Sequence, residues 1–181
     1  MVGSTDRLAC RPMEILRLSD EPHLEEAMWG LGDVWPTFML HDKVAETYYS
    51  DLRRWLHNVQ VAVTDDGSVA ARSFRIDFAM GDDLGRSSLP DDGWDGILLW
   101  SFLDHLSGRP PTHTSAIEIA IDPAHRGTGL AARMIEAMAT DAAIAGFDDL
   151  YAPVRPSRKS EEPETRMGEY VHRVREDGLP F

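Results

Sequence analysis

Two glycines stand where a strand pattern gives way to a helix pattern, in Arg126-Gly127-Thr128-Gly129-Leu130-Ala131. A glycine-rich turn at such a junction can receive an anion. The first N–H groups of a helix have no carbonyl to bond, the helix dipole is positive there, and glycine lets a phosphate approach the backbone. The same glycines also suit an ordinary turn, so the motif gains meaning only from its neighbours. It has no Gly-Lys-Ser/Thr to make it a nucleotide phosphate loop. It also lacks the Gly-x-Gly-x-x-Gly spacing and the repeating parallel strand–helix pattern of a dinucleotide site. His125, just before the turn, can touch a phosphate or pack as a ring. His105 and His113 lack metal-ligand spacing, and no His, Asp and Glu cluster resembles a zinc or two-metal centre, so no metal is expected. Cys10 has no base beside it to make it a nucleophile.

Periodicity gives the elements that must position this turn. Glu14 to Asp20 reads as a short strand, and the segment from Asp20 to Gly32 as a short helix stopped by Gly30 and Gly32. From Trp35 to Leu56 the apolar residues Leu40, Val44, Tyr48 and Leu52 recur every fourth position, which predicts an amphipathic helix. A hairpin follows, with "VQVAVT", a turn at Asp66-Gly67, and a second strand alternating Phe74, Ile76, Phe78 and Met80 against Ser73, Arg75 and Asp77. Residues 81–111 break that pattern with an acidic loop, then set Trp94, Leu98, Phe102 and Leu106 at fourfold spacing, as an insertion between strands. "TSAIEIAI" is a strand that leads into the glycine turn. Leu130, Ala131, Met134, Ile135 and Met138 define the helix behind it, closed near Gly146, with "DDLYAPV" as a further strand and "TRMGEYVHRVRE" as a last helix.

At 181 residues, with 43% hydrophobic content, the chain suits one domain over 13–181, preceded by a flexible arm over 1–12. No apolar run approaches the roughly 20 residues that span a bilayer, and the first residues have neither a secretory nor an organelle-targeting pattern. A single cysteine fits a reducing, cytoplasmic setting. The net charge of −13 argues against nucleic acid as a partner and for a neutral or cationic substrate, although a solvated acidic surface would also account for it.

The turn fits Arg/Gln-x-x-Gly-x-Gly/Ala, follows a β-branched strand that ends in Asp122-Pro123, and opens an amphipathic helix. In that context the chain resembles the GNAT superfamily, the Gcn5-related N-acetyltransferases, specifically over Ser115 to Gly146 and compatibly from Glu14 to Arg175. The resemblance implies an α/β (α+β) fold, a mostly antiparallel mixed sheet flanked by helices, that binds acetyl-coenzyme A or another acyl-coenzyme A. The amides of Gly127, Thr128, Gly129, Leu130 and Ala131 would take the pyrophosphate, with Arg126 beside them. The strand Ile119, Ala120, Ile121 would pair its main chain with the pantetheine arm. Arg133 and Ser157 are expected near the nucleotide phosphates or adenosine.

The implied activity is acyl transfer to an amine of a small molecule by direct attack on the thioester. Glu118, on the strand before the turn, is the candidate base, with an outward structural glutamate as its alternative. Tyr170 is a candidate acid for the leaving thiolate, although its spacing from the chain end is longer than the family pattern, and Tyr151 is the second candidate. Members usually close with two more strands, which are expected to be absent here, and a bare last strand would favour a homodimer through edge pairing. Asp82, Asp83, Asp91, Asp92 and Asp95 are candidates to face an amine, with a solvated acidic loop as the alternative. Trp94, Trp100 and Phe102 are placed to wall its pocket or to pack in the core. A non-catalytic acyl-coenzyme A sensor or docking module is the competing class.

Overall fold

The computed structural model describes residues 13–31, 34–35, 41–49, 54–154, 159–174, 176 and 178. The N-terminal arm, Ser157 and most of the chain after Arg173 lie outside them. A five-stranded sheet runs in the order β1 (Glu14–Arg17), β2 (Val59–Val63), β3 (Val69–Phe78), β4 (His113–Ile121), β5 (Leu150–Tyr151). The first three neighbouring pairs are antiparallel and β4–β5 is parallel. Strand order therefore follows chain order, and the acidic loop and helix α3 (Trp94–Leu106) enter between β3 and β4, as the broken strand pattern predicts.

The helices are α1 (Glu25–Trp29), α2 (Lys43–Tyr49), α3, α4 (Leu130–Ile144) and α5 (Met167–Tyr170). The described part of the long helix expected over Trp35 to Leu56 is confined to α2, with a separate 3-10 turn at Leu56–Asn58. Likewise the last helix is one turn rather than three. Among the described residues no helix is long and apolar enough to cross a membrane.

Register assigns the two faces of the sheet. Phe74 and Glu118 are partners, as are Arg72 and Ala120, and Val59 and Val61 lie across from Phe74 and Arg72. On this face Met28 and Leu24, with Leu18, pack on Val59, Val61 and Phe74, while Ile97 and Leu98 of α3 pack on Ile76 and Phe78. On the opposite face Leu130 and Met134 of α4 pack on Ala62 and Ala71, with Ile119 and Ile121. Antiparallel partners share a face, so this arrangement follows directly from the pairing.

Ser73, Arg75 and Asp77, which alternate with Phe74, Ile76 and Phe78, form the other face of β3. Ser73 and Arg75 are buried because α4 covers that side. Arg75 is held by hydrogen bonds to Asp77 Oδ1 (2.5 Å), Thr114 Oγ1 (3.0 Å), Asn58 Oδ1 (2.6 Å) and Asp141 Oδ2 (3.0 Å). Arg17 donates to the other oxygen of Asp141, at 2.5 Å. A buried charge is tolerable only with partners of this kind, and here they tie α4 to β3 and to the start of β4.

A second buried carboxylate anchors the insertion. Asp104 accepts from the Ala79 amide (2.7 Å), from Arg86 (2.8 Å) and from Arg109 (2.5 Å). Burial pushes its pKa up, but the Ala79 amide and the two arginines together hold it below the ordinary aspartate value. A depressed folded pKa stabilises the protein above the unfolded value of about 4 and loses that contribution as pH falls through the folded value. Asp104→Asn should therefore cost about 3–5 kcal/mol at neutral pH, the range for breaking a buried pair. In urea melts the gap between variant and parent should close below about pH 4.

Candidate active site

β4 and β5 pair only at Thr114↔Leu150 and Ser115↔Tyr151. Among the described residues no strand accompanies β4 on that edge beyond Ser115, and its backbone from Ala116 to Ile121 runs on paired with β3. A register shift opposite Phe74/Arg75 leaves Ile117 as an extra residue in β4. The bulge corrects the simple alternation of Ile117, Ile119 and Ile121. Ile119 and Ile121 pack under α4, whereas Ile117 packs with the α1 and α3 clusters. Trp94, at the start of α3, donates its indole N–H to the Ile117 carbonyl at 3.0 Å, so the bulge is fixed from the insertion.

The strand ends in Asp122-Pro123, where Asp122 Oδ1 accepts the Ala124 amide at 2.8 Å and starts a 3-10 turn over Pro123–His125. Thr128 turns its hydroxyl back to the His125 carbonyl at 2.7 Å. Gly127 and Gly129 both adopt left-handed backbone, with φ of +74° and +82°, and a Cβ on either would meet nothing within 4 Å. Those angles are strained for any other residue. Gly129 is the N-cap of α4, and the first amide of the helix with a backbone acceptor is Arg133, bonded to the Gly129 carbonyl at 3.3 Å. The N–H groups from Gly127 to Ala132 donate to no acceptor among the described residues. They form a cradle at the positive end of a 15-residue helix.

A cleft of about 460 Å³ connects this cradle to the unpaired edge, within the range of small-molecule sites. Ile119, Ala120 and Ile121 form its floor, and Arg126, Gly127, Gly129, Leu130 and Ala131 its anion end, with His125 beside them. Val34 and Trp35, from the chain after α1, also line it. Sequence reasoning missed these two, because nothing in the local pattern says what the chain after α1 folds against. Of the other expected binding residues, Thr128 staples the turn from within. Arg133 donates to the Met13 carbonyl, outside the cleft lining, and Ser157 lies outside the described residues.

The three catalytic candidates occupy different surroundings. Glu118 is buried, not outward: Oε1 accepts from Arg72 Nε at 2.6 Å, and the residue is 7% exposed. Tyr151 stands where β5 leaves β4, its ring 5.8 Å from that of His113 and 6.5 Å from that of Phe78. Tyr170 is fully buried on α5, with Lys159 Nζ 5.7 Å and Arg173 Cζ 5.9 Å from its ring. Of the acidic loop, Asp95 stands close enough to Asp42 and Asp92 to be affected by both. Burial first, then these two carboxylates, raise its pKa. Among the described residues no group of three or more His, Cys, Asp or Glu is arranged to hold a metal ion.

No family model matches the chain. Arginine N-acetyltransferase avaD of Aspergillus versicolor is 29% identical over 185 aligned positions, which cover 93% of this chain. The chain spans 58% of that relative's length. Among solved structures, the loading GNATL domain of CurA from Lyngbya majuscula matches with a TM-score of 0.62 at 17% identity, over 92% of this chain and 76% of the other. The GphF GNAT-like decarboxylase in complex with isobutyryl-CoA matches with a TM-score of 0.53 at 16% identity, over 88% and 75%. A GNAT family acetyltransferase from Brucella melitensis in complex with acetyl-CoA matches at 0.50 and 13% identity, over 83% and 81%. At these identities the structures speak for the fold, a mixed sheet flanked by helices with a parting between β4 and β5. This chain therefore has the fold of the GNAT-type acyl-CoA N-acyltransferases.

Proposed function

We propose that the chain binds an acyl-coenzyme A along the β4 edge and transfers the acyl group to an amine of a small molecule. The observation that carries this is the run of undonated amides from Gly127 to Ala132 at the end of an unpaired strand edge. The cradle suits a diphosphate, and the edge suits an amide-bearing arm that hydrogen-bonds as a strand would. The neighbour bound to acetyl-CoA and the relative named as an arginine N-acetyltransferase support the same reading. In the transfer, the acceptor nitrogen bonds to the thioester carbonyl carbon and the carbon–sulfur bond breaks. The acceptor ammonium gives up two protons, one to sulfur and one to solvent.

Glu118 is the base we assign, since Oε2 accepts no hydrogen bond among the described residues and stays available to an ammonium. Tyr151, at the parting of the strands, is a better-placed acid than Tyr170, which is enclosed by its own helix and two cations. The carboxylates of Asp42, Asp92 and Asp95 suit a cationic acceptor. A single cysteine suits work in the cytoplasm, and the place of β5 at the end of the sheet among the described residues suits pairing with a second copy.

A second reading, an acyl-coenzyme A binder without turnover, is favoured by one observation: Glu118 already has an ion-pair partner in Arg72. Free thiol released from acetyl-CoA faster with an amine panel than without it supports transfer. Tight binding with no release across the panel supports the binder.

Gly129→Glu should abolish coenzyme A binding in calorimetry while the protein stays folded, because its side chain would enter the cradle. The parent at about 100 times Kd should gain about 2.7 kcal/mol from the ligand, and binding by both proteins alike would contradict the assignment. Glu118→Gln should lower kcat at least about tenfold if Glu118 is the base. An unchanged kcat in a variant with a normal melt would remove it.

A further inference from the structure

Arg72 is out of place by composition. It shares a face of β3 with Phe74, Ile76 and Phe78, and its side chain is 7% exposed. Its guanidinium lies over the Trp29 ring, 4.8 Å from the centre, and 5.7 Å from that of Phe74. Stacking fixes the guanidinium plane and leaves its in-plane donors for planar partners. Nε takes Glu118 Oε1 at 2.6 Å and Nη1 takes the Met28 carbonyl at 3.0 Å. The last donor, Nη2, has no acceptor among the described residues, and Glu118 Oε2 has no donor. Neither atom is among the sealed, unpartnered side-chain atoms of the interior.

A buried pair offsets the cost of desolvation only when its remaining donors and acceptors are also satisfied. Here the pair is joined by one hydrogen bond and is incomplete on both sides. Bond geometry keeps Nη2 beside Nε and Oε2 beside Oε1, so the two open atoms flank that bond. A lone amine would complete Glu118 and leave the guanidinium open, whereas a lone carboxylate would complete Arg72 and stand against Glu118. A ligand with an ammonium and a carboxylate on one carbon completes both. Arg72 pairs with Ala120, which shares its face and lines the cleft, and Trp29, whose ring lies against the guanidinium, is 40% exposed.

We infer that Arg72 and Glu118 together seat the charged end of an α-amino acid, so that the acceptor is an amino acid with a free carboxylate rather than a simple amine. Arg72 Nη2 takes the carboxylate, and Glu118 Oε2 takes the α-amine and holds it at the strand edge where the thioester would lie. This rests on the acyl-transfer reading for its chemistry, but it makes a claim about binding that can fail separately.

The test compares amino acids with the amines that differ only by loss of the carboxylate: L-arginine with agmatine, L-lysine with cadaverine, and L-phenylalanine with phenethylamine. Turnover with acetyl-CoA gives kcat and KM, and calorimetry with and without coenzyme A gives Kd. In at least one pair the amino acid should be preferred at least tenfold, in KM and in Kd alike, and Arg72→Met should bring that ratio close to one. Arg72→Lys, which keeps the charge but loses the planar fork, should restore part of the ratio, and it serves as the readout if the methionine variant fails to fold. Equal affinity within every pair, or a ratio unchanged in either folded variant, would overturn the proposal. If no amine is acylated but the parent binds amino acids over their amines, the acyl-transfer reading fails and this one stands.

Discussion

A strand edge that loses its neighbour halfway along must find other partners, because backbone N–H and C=O groups left without them cost as much as lost hydrogen bonds. β4 is such a strand, paired with β5 at Thr114 and Ser115 and then, among the described residues, alone on that side to Ile121. Much of the rest of the molecule bears on this parting. The Ile117 bulge and the Trp94 indole hold the strand in shape. The turn of Gly127 and Gly129 aims the start of α4 at its far end. The edge and the helix amides ask for a ligand of one kind, extended and amide-bearing along the strand and anionic at the helix.

Three arginines on or beside β3 show how similar groups serve different ends. Arg75 has partners in Asp77, Thr114, Asn58 and Asp141, and it locks α4 to the sheet so that the cradle cannot drift from the strand. Arg86 shares Asp104 with Arg109, lies 4.8 Å from the Trp100 ring centre and holds the inserted helix in place. Arg72 leaves one donor unused beside a half-used carboxylate. The first two are parts of the scaffold. The third borders the site and has the chemistry to recognise something that arrives there.

The glycine turn, the hairpin, α3 and α4 were legible from the sequence, since each rests on local chemistry: left-handed glycines, Asp66-Gly67, and apolar residues at helical spacing. The long helix before β2 was over-extended because a fourfold repeat of apolar residues says nothing about where a helix stops. The alternation of Ser73, Arg75 and Asp77 with apolar residues cannot tell a hydrated face from one covered by α4 and satisfied by a buried network. Glu118 was singled out as a candidate by position, and its ion-pair partner Arg72 was not, although an arginine in the apolar phase of "RSFRIDF" was the available signal. Val34 and Trp35 gave no signal, since the wall they form exists only through tertiary contact.

The most direct measurement is amide chemical-shift mapping of the 15N-labelled protein as coenzyme A is added. The largest shifts are expected at Gly127 to Ala132 and along Ile119 to Ile121, with Trp35 of the cleft lining perturbed and the Arg75 network left still. Saturable shifts centred elsewhere, or none at millimolar ligand in a folded sample, would contradict this placement of the ligand.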